Sequence, residues 1–249
     1  MGTSPASPPP SRSLVVPVLW IAAAFLAVVP WLHPNNTCHD WLMKWGQLVA
    51  DPMWRPIHQA GMAGFALASS AGILLALSGP RSWMATLGGA AFSAGYAIQA
   101  MLVMIHASAV ATIGRAHNAA AGDAARQQLL RTMAEAFVNY DVACSGVAAV
   151  FISGGAILLT LALARARVFS PLVGLVMAGV ASLWVLAYVG YTYGEWLPYT
   201  SLATWLGAMG ALILVDGSRQ ASRQGAGHEH EPETSAPQQA DQAAAGRLA

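Results

Sequence analysis

Charge is the scarcest feature of this chain. Of 249 residues, 12 are Lys or Arg and 11 are Asp or Glu, 9% in all, against roughly a quarter in ordinary soluble domains. No Asp, Glu, Lys or Arg occurs from Trp83 to Gly114, and Asp141 is the only one from Ala136 to Ala164. A helix in a soluble core needs only one apolar face, so runs this long exclude an ordinary soluble fold. Basic runs are also missing and the net charge is only +1, which removes nucleic acid as a partner.

Cysteine is nearly absent. Cys38 and Cys144 are the only two, too few for a disulfide framework. No glycine-rich phosphate loop, nucleophile elbow or base-adjacent nucleophile spacing occurs, so the sequence leans away from an enzyme. No small-x-small cleavage site closes the apolar stretch Leu14–Leu32, which is therefore read as a retained first span and not a signal peptide.

What is present is apolar residue in membrane-length blocks. The chain is 56% hydrophobic with a mean hydropathy of +0.50, and apolar segments of about 18 residues or more read as transmembrane helices. The fold class expected is all-α: a polytopic bundle of six transmembrane helices, about 14–32, 57–77, 83–113, 136–164, 168–190 and 196–215. Residues 1–13 form a disordered lead and 216–249 a disordered cytoplasmic tail. In the first loop, Trp41, Leu42, Trp45 and Leu48 recur at helical spacing, which points to a short interfacial helix on the extracytoplasmic side. Asp51-Pro52 reads as an N-cap and first-turn proline for span two, and Asp123–Met133 as a helix leading into span four.

Six spans put Arg12, Arg81, Arg165, Arg167, Arg219, Arg223 and Arg247 on one face, and Lys44, Arg55, Arg115, Arg126 and Arg131 on the other. The positive-inside bias then places both termini in the cytoplasm of a bacterial inner (plasma) membrane. His33, His39, His58, His106, His117, Asp141, Cys144 and Glu195 all fall on the opposite, outer side. Spans two, three and four bring His58, His106 and Asp141 to similar outer depth. Tyr96 and Gln99 lie below on the same three–four stripe as Phe92, Val103 and His106. These five residues form the candidate ligand site, because polar side chains within spans normally face the bundle interior.

The working function is a multi-pass inner-membrane protein that binds a small molecule, lipid or partner at this outer-leaflet polar pocket. Two other classes stay open. Two imidazoles on facing helices are what a b-type haem requires, and His58, His106 and His39 are weak metal candidates. Asp141 could instead accept protons in a small carrier. The partners expected are the lipid bilayer and, through the small-residue stripe Ala60, Gly64, Ala68, Gly72 and Ala76, a packing helix or a second copy.

Overall fold

The computed structural model describes residues 12–32, 46–47, 49–190 and 196–228. The described residues are helical with no strand. The chain divides into two units, Met1–Leu214 and Val215–Ala249. In the first are α1 (Arg12–Leu32), α2 (Trp54–Ser78), α3 (Trp83–Ile105), a π-helical turn (His106–Val110), α4 (Ala111–Ala119), α5 (Ala124–Arg165) and α6 (Pro171–Gly190). The last helix, α7 (Trp196–His228), begins there and runs into the second.

Local chemistry sets the helix ends. Gly79 is extended (φ −83°, ψ −171°), as the residue before Pro80 must be, and its N–H returns to Leu75 O at 2.9 Å. Ser82 then caps α3 by accepting from the Ala85 N–H at 3.2 Å, and Asp123 caps α5 by accepting from Arg126 N–H at 3.0 Å. These side chains satisfy amides that have no partner within the helix. At the far end of α5, Arg167 takes a positive φ of 59°. Its N–H reaches Ala164 O, and the Val168 N–H reaches Leu163 O. This pair of bonds is the Schellman arrangement, here with arginine in the left-handed position that glycine usually fills.

Several boundaries differ from the sequence expectation. Asp51 does not cap α2: its Oδ1 accepts from the Met53 N–H at 2.7 Å, closing a turn, and α2 begins at Trp54 with no side-chain cap. Span three is not one uninterrupted helix to residue 113. A π turn widens it at His106–Val110 and the helix resumes to Ala119. Ser108 Oγ donates to Met104 O, and Thr112 Oγ1 donates to Ser108 O, hydroxyl back-bonds of the kind that bend helices. The polar 124–135 segment and span four are one continuous helix of 42 residues. The tail expected to be disordered from 216 is helical as far as His228. Its Arg, Gln and Ala residues have good helix propensity, and extending an existing helix needs no new nucleus. Trp41, Leu42, Trp45 and Leu48 lie outside the described residues.

Among the described residues, four helices are long and apolar enough to cross a membrane: Trp54–Ser78, Trp83–Ala119, Ala124–Arg165 and Tyr199–Arg219. Where no water drives helices together, they associate through small residues and interhelical hydrogen bonds. α3 is the hub, packed mainly on α5 and α2. On α5, Gly155 meets the backbone of Phe92 and Gly88. The stripe on α2 is used inside the fold: Gly64 lies against Phe25 of α1, Ala68 is fully buried, and Gly72 lies against Ser93 and Phe92 of α3. Gly64, Ala68 and Gly72 therefore pack on helices of the same chain. Ser69 and Ser93 exchange hydrogen bonds, each donating to the other's carbonyl (3.0 and 2.7 Å). Ser153 donates to Ala181 O on α6 at 2.8 Å, and Trp20 donates to Gly207 O, tying α1 to α7 at 3.1 Å.

Candidate functional site

The site begins where α2 begins. Trp54 and His58 are one turn apart, and the His58 Nδ1 lies 2.6 Å from the Trp54 carbonyl oxygen. A carbonyl can only accept, so Nδ1 carries the proton, a tautomer assigned from this partner. The two rings also face each other, with centroids 4.3 Å apart and a 37° tilt. The Trp54 indole N–H donates to the His106 carbonyl oxygen at 3.3 Å. Trp54 thus fixes His58 on its own helix and anchors the π turn of the neighbouring one.

His106 opens that π turn. Its ring lies 5.9 Å from that of His58, tilted 52°, and its Nε2 is 3.6 Å from Oδ2 of Asp141 on α5. That distance exceeds a good hydrogen bond but is within ion-pair range. The pair becomes ionic when His106 is protonated. Both side chains are about a quarter exposed (24% and 25%), whereas His58 is buried. Ser145 lies one turn beyond Asp141 on the same helix face. The π turn matters because an inserted residue rotates the outer helical segment relative to the inner one, and such turns concentrate at functional sites.

A small second core holds this end together. Val49, Trp54, Val110, Ala111, Ile113 and Ala134 are buried against one another, with Leu130 and Phe137 beside them. The turns outside are tied across the chain. Asn118 Nδ2 donates to Gly46 O at 2.8 Å, and Gln127 Nε2 donates to His117 O at 3.4 Å.

Tyr96 and Gln99 lie deeper on α3, buried at 0% and 4% exposure. Tyr96 packs on Phe92 at 4.9 Å and on Phe65 at 5.9 Å between ring centroids. His58, His106 and Asp141 therefore converge from α2, the π turn and α5, while Tyr96 and Gln99 continue down α3 away from that convergence. His39, His33, Cys38 and Glu195 lie outside the described residues. Among the described residues no three or more His, Cys, Asp or Glu side chains are grouped to hold a metal ion. Cys144 carries a free thiol.

Sequence reasoning missed Trp54, because span two was started at Ile57. The signal was available: Trp54 is four residues before His58, so the two share a helix face. The π turn has no comparable signature. Among the described residues, helices without strands, four of them long and apolar enough to cross a membrane, are compatible with the class of helical membrane proteins. No protein-family model, curated protein or solved structure matches it.

Proposed function

We propose that the chain is a six-span inner-membrane protein, with both termini cytoplasmic, that binds a small molecule at an outer-leaflet site built by His58, His106 and Asp141. The two spans beyond the four long apolar helices are α1 and α6, at 21 and 20 residues. At 1.5 Å per residue each reaches about 30 Å, the hydrocarbon thickness of a bilayer. Six spans would put the His58–His106–Asp141 end on the face opposite both termini, and the Lys/Arg distribution favours the outside for that face. The observation that carries the reading is the convergence itself: three titratable side chains from three separate segments meet within 5.9 Å and 3.6 Å contacts. Ordinary helix-end polarity has no reason to produce such convergence.

One observation favours a second reading, a b-type haem or metal between the imidazoles. Ligating histidines usually give their other ring N–H to a carbonyl or carboxylate. His58 makes such a bond to Trp54 O, and His106 faces Asp141. A single preparation separates the two readings. Full-length protein purified from haem-replete cells should be colourless and should release an organic small molecule that a His106→Leu/Asp141→Leu variant has lost. A Soret band at one haem per chain would favour the haem reading instead. Identical extracts from both folded proteins, with neither iron nor colour, would contradict both.

A further inference from the structure

Two buried polar groups on α3 are left unmatched by the packing around them. The Tyr96 hydroxyl is fully buried and has no hydrogen-bond partner among the described residues. One turn outward, the buried Gln99 amide likewise makes no hydrogen bond to a described residue. Other buried hydroxyls of the bundle are matched: Ser93 bonds Ser69 O, Ser153 bonds Ala181 O, and Thr160 bonds Ala156 O while accepting from Trp205 Nε1. A buried donor without an acceptor is costly, and such a group calls for an explanation, commonly a water.

The surroundings say what kind of occupant fits. Two stripes face each other in antiparallel rungs. His58 on α2 meets His106 at 5.9 Å, and Phe65 on α2 meets Tyr96 at 5.9 Å. Between them, a Cβ placed on Gly61 would meet Val103 Cγ1 at 3.6 Å and Val29 Cγ1 at 3.7 Å, with nothing closer. The glycine therefore leaves room for a group of about methyl or water size beside Val103, one helical turn from Gln99. No Asp, Glu, Lys or Arg is buried among the described residues, so an ionic occupant would have no counter-charge there. Inward of Tyr96 the next hydroxyl on α3, Ser93, is already bonded to Ser69 O, and Phe92 packs on Trp205 at 5.2 Å.

We propose that the outer polar site continues inward along α3 as a water-filled half-channel, past Gln99, ending at the Tyr96 hydroxyl. Water is small and neutral, and it needs the two to four polar partners that the phenol and amide supply. The half-channel rests on the outer site described above and gives the middle of the bundle aqueous contact from one side only.

Hydroxyl-radical footprinting of the full chain in lipid nanodiscs tests this, because radicals form from water held against the side chain. Tyr96 and Phe92 are both fully buried, so access from bulk solvent is matched. With a water at its hydroxyl, Tyr96 should be oxidised at least ~10-fold faster than Phe92. Gln99→Leu should slow Tyr96 oxidation ~3-fold or more. Tyr96 as inert as Phe92 would overturn the half-channel, and an unchanged Tyr96 rate in folded Gln99→Leu would overturn the route through Gln99. If that variant does not fold, the wild-type ratio decides. A dry Tyr96 leaves the His58–His106–Asp141 site standing, because the footprint at Tyr96 does not measure the outer end.

Discussion

Gly155→Ala is expected to remove most of the folded protein, while Gly154→Ala next to it is expected to be tolerated. A Cβ on Gly155 would run into the backbone nitrogen of Phe92, and would sit 2.8 Å from Phe92 Cα and 2.6 Å from Gly88 O. These are main-chain atoms of α3 and cannot rotate away, so the two helices must separate. Overpacking of this kind costs about 3 kcal/mol. Here it falls at the tightest approach of α5 to the hub helix. A Cβ on Gly154 meets nothing within 4 Å, and replacing glycine in a helix interior gains up to about 1 kcal/mol. Thermal melts of the two variants in detergent should therefore move in opposite directions from wild type. Equal melts would mean that α3 and α5 do not pack as described.

Trp205→Ala is the second large effect. Trp205 is fully buried, packs on Phe92 of α3 and donates its indole N–H to Thr160 Oγ1 at 3.0 Å. It thereby links α7 to both α3 and α5. Truncating a buried tryptophan leaves a large cavity and costs about 3–5 kcal/mol. The loss is one of close packing contacts, since lipid supplies no water-driven association. Thr160→Val conserves the shape and leaves the Trp205 N–H without an acceptor, so it should cost only about 1–3 kcal/mol. Denaturation midpoints should rank wild type above Thr160→Val, and Thr160→Val above Trp205→Ala. A Trp205→Ala midpoint equal to wild type would contradict the placement of α7.

Apolar run length was enough to read the helices that could span a membrane, because a run without charge has few other places to go. The candidate site was legible in part. Alternating spans put His58, His106 and Asp141 at one end of the bundle, but their meeting at 5.9 and 3.6 Å needed the folded chain. What stayed hidden depends on tertiary context. Asp51 has a capping side chain but closes a turn instead, and the true start of α2 brought in Trp54. The π turn at His106, which carries the Trp54 indole bond and the Ser108 and Thr112 back-bonds, has no signature in the sequence. The α2 stripe gave the correct chemistry, close helix approach, but could not say which helix approached. Gly64 and Gly72 were matched to α1 and α3 only by the folded chain.

The central claim is that the His58–His106–Asp141 end lies outside a six-span bundle, and side-specific labelling reads it directly. In a Cys38→Ser/Cys144→Ser background, single cysteines at Ala121 and Gly194 should react with a membrane-impermeant maleimide in intact spheroplasts. Cysteines at Arg81 and Ala166 should react only after the membrane is opened. Ala121 and Gly194 reporting opposite sides, or Ala121 reacting only from within, would contradict the account.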